Sequence, residues 1–213
     1  MARRLDIESW KRRRHFEFFR RFDNPFFNIC ADVDVTGLLA RCRGDRDLSF
    51  FAAALYGSQQ AVNEIEEFRY RLDGEGVQIF DTVDCGTTVL MPNDTFAFAY
   101  FGWDPRFDRF VAAVAAEIER VRRGPPSLDP SGERENFIRY TVIPWVSFTS
   151  FSHASRRDPT DSVPRIVFGR YRESGGRQMM PVSVEVHHAL IDGLHVGRYF
   201  ENFQEYLDEA GVG

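Results

Sequence analysis

Residues 165–193 read RIVFGRYRESGGRQMMPVSVEVHHALIDG, and this stretch decides the fold. Arg165 to Tyr171 and Gln178 to His187 are rich in β-branched and apolar residues. Arg172 to Arg177 between them holds Gly175 and Gly176, the composition of a hairpin loop. Alternation along the second strand sets Met180, Val182, Val184, Val186 and His188 on one side, an apolar row that needs a covering layer. Downstream, a helix is predicted after Asp192-Gly193, with Val196, Phe200, Phe203 and Leu207 on one stripe suited to lie on that row. The fold class that follows is mixed α/β: a two-layer α+β sandwich whose largely antiparallel sheet is covered by helices.

Upstream the pattern continues. Ile7 to Phe22 reads as a helix with one basic turn, Lys11 to Arg14, followed by aromatic residues. Phe26 to Val35 reads as a strand ending at Thr36-Gly37. Phe50 to Phe68 reads as a core-facing helix with Ser49 as N-cap. Val77 to Phe80, Thr87 to Met91 and Thr95 to Phe101 read as an antiparallel meander, and Phe137 to Val142 and Trp145 to Phe148 as further strands. Between them, Phe107, Phe110, Val111, Val114, Ile118 and Val121 mark a helix stopped by Gly124-Pro125-Pro126.

A chain of 213 residues with 43% apolar composition and 21 phenylalanines builds its own core, and one domain spanning 1–213 is expected. The net charge of −5 gives no general attraction to nucleic acid or anionic membrane, so a small-molecule partner is expected. Cys30, Cys42 and Cys85 fit neither a disulfide framework nor a metal-ligand spacing; no metal is expected, and a cytoplasmic setting is. No segment has the roughly 20 apolar residues of a membrane helix. Lys11 is the sole lysine beside many arginines, a bias assigned to genome composition.

The chemistry converges on His188. An imidazole at the end of an apolar row is expected to be buried and neutral, suited to take a proton from a substrate hydroxyl. Periodicity alone favours a core or turn histidine that merely hydrogen-bonds. Asp192 read alone is an N-cap for the last helix.

His187-His188-Ala-Leu-Ile-Asp192-Gly193 resembles the HHxxxDG signature of coenzyme A-dependent acyltransferases. The opening Trp10 to Phe19, the block Pro144 to Phe151, the segment Pro164 to Tyr171 and the continuation Gly193 to Arg198 resemble, in that order along the chain, the chloramphenicol acetyltransferase family. The resemblance implies an acetyl-CoA-dependent O-acetyltransferase with His188 as general base, and Ser150, 38 positions earlier, as hydrogen-bond donor to the oxyanion. It implies a site-structural ion pair between Asp192 and Arg12, contact of Arg170 and Tyr171 with coenzyme A, and a homotrimer whose sites lie between subunits. Phe18, Phe19 and Phe27 would form an aromatic wall for the acceptor.

The chain departs from the family pattern around the implied acceptor. His153 and Ser155 fall where the family has apolar pocket residues, and Val167 where it has a threonine. Chloramphenicol is the best single named acceptor. The alternatives are a more polar alcohol or amine, or a non-catalytic trimeric binding paralogue.

Overall fold

The structure is a computed structural model that describes residues 2–125, 128, 135–154, 158 and 160–210. Its main sheet contains β2 (Phe26–Asp34), β5 (Asp84–Leu90), β6 (Phe96–Phe101), β7 (Phe137–Ile143), β8 (Arg165–Gly169), β9 (Arg172–Ser174) and β10 (Arg177–His187). The order is β2-β10-β8-β7-β5-β6, with β9 paired to one end of β10. β10 is antiparallel to β2, β8 and β9, and β5 to β6, whereas β7 runs parallel to both β5 and β8. The sheet is therefore mixed and largely antiparallel, as the sequence indicates.

Register explains why one face takes helices. Tyr140, Ile166, Val184 and Ile29 align across four strands, an apolar row. The rows of the opposite face are Arg139, Arg165, Glu185 and Asn28, and then Thr141, Val167, Ser183 and Cys30. Directly paired residues share a face, so every strand alternates between an apolar and a polar-rich side.

The helices are α1 (Arg13–Phe19), α2 (Thr36–Gly44), α3 (Phe50–Glu64), α4 (Phe107–Arg123) and α5 (Gly193–Ala210). Val196, Phe203 and Leu207 of the predicted α5 stripe are buried, as are Phe110, Val114 and Val121 of α4. Ser49 caps α3, its hydroxyl accepting the Ala52 N–H at 3.4 Å, and Gly124 closes α4. The hairpin turn of β9 and β10 is Gly175-Gly176, both with positive φ, which glycine adopts without a Cβ clash.

Several expectations change. The predicted meander divides: Val77 to Phe80 belongs to β4 (Gly76–Phe80), which pairs with β1 (Ala2–Arg4) and β3 (Tyr70–Asp73) in a separate three-stranded sheet. β5 instead takes the parallel partner β7, a long-range pairing with no local signal. Trp145 to Phe148 is not a strand. Pro144 follows β7 directly, and the segment turns out with Trp145 and Val146 exposed. The first helix is shorter than its pattern: Asp6 accepts hydrogen bonds from the Glu8 N–H and the Ser9 hydroxyl, holding a turn where helix was expected. Phe50 to Phe68 ends as a helix at Glu64 and continues as a 3-10 turn, Glu66–Arg69.

Arg71 joins the small sheet to the large one. Its fully buried guanidinium donates to the carbonyls of Phe68, Tyr70, Glu135 and Phe137. Gly169 marks another close approach, because a Cβ there would lie 2.6 Å from Pro181 Cγ and 2.8 Å from Phe148 Cε1. A Gly169→Ala substitution is expected to lower stability by about 1–3 kcal/mol through overpacking, measured as the denaturant midpoint. An unshifted midpoint would show that Phe148 swings aside freely.

Candidate active site

β10 carries the buried row Met180, Val182, Val184 and Val186 and ends at His187, so His188 enters a turn one residue beyond the strand. The expectation of a buried His188 is corrected: His188 is half-buried, and His187 is the enclosed histidine. The His188 N–H donates to the carbonyl of Pro25 at 2.8 Å, which ties the turn to the segment before β2. Its ring stacks on Phe19 with centroids 3.8 Å apart and planes 17° apart. Phe27 closes a second side at 4.6 Å. Nδ1 is buried with no hydrogen-bond partner among the described residues, so Nε2 is the nitrogen left to meet a substrate.

The next four residues fold back under the turn. Arg12, buried, donates through Nη1 to Asp192 Oδ2 at 2.6 Å and through Nη2 to the His188 carbonyl at 3.1 Å. Asp192 also accepts the Gly193 N–H at 2.7 Å. The Arg12 hydrogen bond holds the Asp192 carboxyl below its ordinary value, even though burial opposes ionisation. Arg12 therefore grips both ends of the segment that carries His188.

Other predicted residues scatter. Phe18 is 60% exposed and touches Phe19 and Phe22 rather than the imidazole. Ser150 is exposed, with no hydrogen bond among the described residues. Val167 is fully buried in β8, opposite Ser183 on the polar-rich face. Ser155 lies outside the described residues.

His153 reaches that same face. Its Nδ1 is 3.8 Å from Glu185 Oε1, too long for a hydrogen bond, and both ring nitrogens are buried without partners among the described residues. Glu185 is ion-paired with Arg165, which also meets Asp161 at 2.5 Å, and Arg139 meets Asp161 at 3.0 Å. Burial works against ionisation of Glu185, but His153 and Arg165 together leave its carboxyl below the ordinary value. Sequence reading missed this charged chain; the pairing of Arg165 with Glu185 required the register of β8 on β10.

At the other end of β8 lies a cavity of about 810 Å³, bordered by Phe50, Phe51, Gly169, Arg170, Tyr171 and Met180 among others. Tyr171 packs edge-on against Phe50 at 5.8 Å. Arg170 is exposed at the rim and has no ion pair among the described residues, whereas Arg172 is held by Asp32 and Ser147. An aromatic wall with one uncommitted guanidinium fits a ligand that joins flat apolar and phosphate parts. Among the described residues no group of three or more His, Cys, Asp or Glu is placed to hold a metal ion.

Comparison with known proteins bears on the family and the fold. The chain matches the family model described as chloramphenicol acetyltransferase over residues 2–204. It is 30% identical to chloramphenicol acetyltransferase 3 of Escherichia coli, covering 95% of each chain. It is 31% identical to the chloramphenicol acetyltransferase of Streptomyces acrimycini, covering 95% of this chain and 93% of that one. Among solved structures, a chloramphenicol acetyltransferase superposes with a TM-score of 0.88 at 29% identity, covering 97% of this chain and 100% of the other. A probable dihydrolipoamide acetyltransferase from Listeria monocytogenes shares the fold, with a TM-score of 0.68 at 16% identity over 92% of this chain and 89% of that one.

Burial lowers His187 to about 4 from its ordinary value of 6.5. Its Nδ1 accepts the Ala189 N–H at 3.3 Å, a bond that only the neutral ring can make. The unfolded chain takes up this proton first as pH falls, so stability is full above about pH 6.5 and drains away toward about pH 4. The loss is expected to be on the order of 3 kcal/mol, read from denaturant midpoints across that range. A His187→Asn chain should show a flatter profile, and an equal slope in both proteins would assign the acid loss elsewhere.

Proposed function

The chain belongs to the chloramphenicol acetyltransferase family, and from that membership we propose that it transfers the acetyl group of acetyl-coenzyme A to a hydroxyl of a small acceptor, chloramphenicol being the first to test. The observation that carries the proposal is the His188 turn, its ring braced by Phe19 and its backbone gripped by Arg12.

In the proposed reaction, Nε2 of His188 removes the proton of the acceptor hydroxyl as its oxygen attacks the thioester carbonyl. The C–O bond forms, the carbonyl π electrons move to oxygen, and Ser150 donates a hydrogen bond to that oxyanion. The tetrahedral intermediate then expels the coenzyme A sulfur, which recovers the proton from His188. A well-placed oxyanion donor is worth roughly 2.7–4 kcal/mol, or about 10²- to 10³-fold in kcat. Both substrates are held together, so no acyl-enzyme forms. The 810 Å³ cavity at Tyr171 and Phe50 suits the coenzyme, with Arg170 toward its phosphates.

The family membership supports a site built between copies, with Ser150 of one protomer facing His188 of the next in a homotrimer, and the exposed Ser150 hydroxyl, without a hydrogen bond among the described residues, is available for that role. Three free cysteines fit a reducing cytoplasm. A second reading, an acceptor more polar than chloramphenicol, is favoured by the unpartnered His153 nitrogens beside the Arg165 and Glu185 pair. A non-catalytic binding paralogue is disfavoured, because drift would have no reason to retain His188, Ser150, Asp192 and Arg12 together.

The test is release of free thiol from acetyl-coenzyme A with chloramphenicol and with a panel of alcohols and amines. A His188→Ala chain and a Ser150→Ala chain should each lose at least about 10²-fold in kcat. Co-expressed, they should regain activity, since mixed assemblies contain some sites with neither substitution. Activity that stays at single-variant level would reject the shared site, and turnover unchanged by His188→Ala would reject the general base.

A further inference from the structure

α5 begins in an unusual way. The Asp192 carbonyl accepts the first helical N–H groups, from His195 at 2.9 Å and Val196 at 3.2 Å, which makes Asp192 the N-cap residue and His195 the third helical position. In a capping box, Glu or Gln at that third position reaches back to the N-cap N–H. Here a histidine does so: His195 Nδ1 accepts the Asp192 N–H at 2.9 Å. The substitution is chemically consequential, because an imidazole loses this acceptor when it is protonated.

The opposite nitrogen fixes the tautomer. Nε2 lies 3.3 Å from Glu67 Oε1 in the 3-10 turn, so the ring proton sits on Nε2 and Nδ1 stays free to accept. The imidazole is 3% exposed and is not in contact with the ring of His188. Asp192 is thus held from two sides, its carboxylate by Arg12 and its amide by His195.

We infer that His195, oriented by Glu67, is a positioning residue for the acetyl transfer, fixing through the Asp192 amide the turn that carries His188. The inference rests on the function proposed above for His188. Four charged groups act on the ring: Glu67 from the 3-10 turn, Arg12 from the segment before α1, and Asp192 and Arg198 from its own stretch of chain. Burial, the largest influence, keeps the ring neutral to lower pH than usual, so the bond to Asp192 persists through neutrality and is lost only as pH falls through the lowered value.

Full-length wild-type, His195→Ala and His195→Gln chains are compared through two readouts. The first needs no substrate: hydrogen exchange in the peptide containing Asp192, followed by mass spectrometry. Protection should fall about tenfold in the Ala chain and return in the Gln chain, whose amide oxygen can accept the same N–H. From about pH 7 to about pH 4 the wild-type protection should decline more steeply than that of the Gln chain, which keeps only the loss through His187 that both share. The second readout is kinetic, with acetyl-coenzyme A and chloramphenicol. kcat should fall about 2- to 30-fold in the Ala chain, with both KM values within about twofold, and recover in the Gln chain.

Unchanged protection in the Ala chain overturns the inference, and so does failure of Gln to restore it, which would point to lost packing. If the Ala chain does not fold, the pH profiles of wild type and Gln are sufficient: diverging profiles support the role of His195, and parallel ones overturn it. If no chain turns over chloramphenicol or any member of the acceptor panel, the proposed function fails while the exchange data still judge the role of His195.

Discussion

The pairing of Arg12 with Asp192 is the constraint on which the candidate site depends. It joins the segment before the first helix to the start of the last, 180 residues away in sequence, and it closes over the turn that bears His188. Its two ends differ. Arg12 has a side chain 9% exposed, whereas that of Asp192 is 39% exposed. The guanidinium has therefore lost most of its water, and its Nε has no partner among the described residues. Such a cation depends on its carboxylate more than the carboxylate depends on it. The bond from Nη2 to the His188 carbonyl turns that dependence to use, because the charge that must be neutralised also orients the peptide carrying the imidazole.

Much of the scaffold is legible in the chain because it rests on local rules. The α5 stripe, the Ser49 cap, the Gly124 stop and the Gly175-Gly176 turn each follow from residues within a few positions of one another. The failures are long-range. Nothing near Asp84 announces that β5 will lie parallel to β7 rather than continue from β4, and nothing near Tyr70 announces a second sheet. The shortfall at Ile7 to Arg12 has a local cause, the Asp6 side chain competing for backbone donors. Of the site, the HHxxxDG signature and its arginine partner could be read. The capping role of His195 was also within reach, since it sits three residues after an N-cap candidate, but its partner Glu67 is distant in sequence and had no signal.

The polar-rich face of the sheet carries a different kind of information. Arg139, Asp161, Arg165, Glu185 and His153 form a run of charge beside the buried Val167 and Ser183. Among the described residues of this run, the ion pairs take up the arginines and carboxylates, and the imidazole nitrogens have no hydrogen-bond partner. A buried polar atom without a partner is costly, by about 1–3 kcal/mol, so this end of the face carries a local penalty within an otherwise paired run. The alternation of β10 produces this asymmetry directly: Val182, Val184 and Val186 serve the helices, and Ser183, Glu185 and His187 serve the other side.

Arg71 gives the scarcity of lysine a physical meaning. One guanidinium reaches four carbonyl oxygens at once, through three nitrogens set in a plane. An ammonium has only three protons, on a single atom, and could not span the same four oxygens. Arginine is thus a side chain that can rivet loops to strands in a way that lysine at the same position could not. Exchanging arginines for lysines across this protein, a routine step in surface engineering, would be harmless at most exposed positions and disruptive at this one.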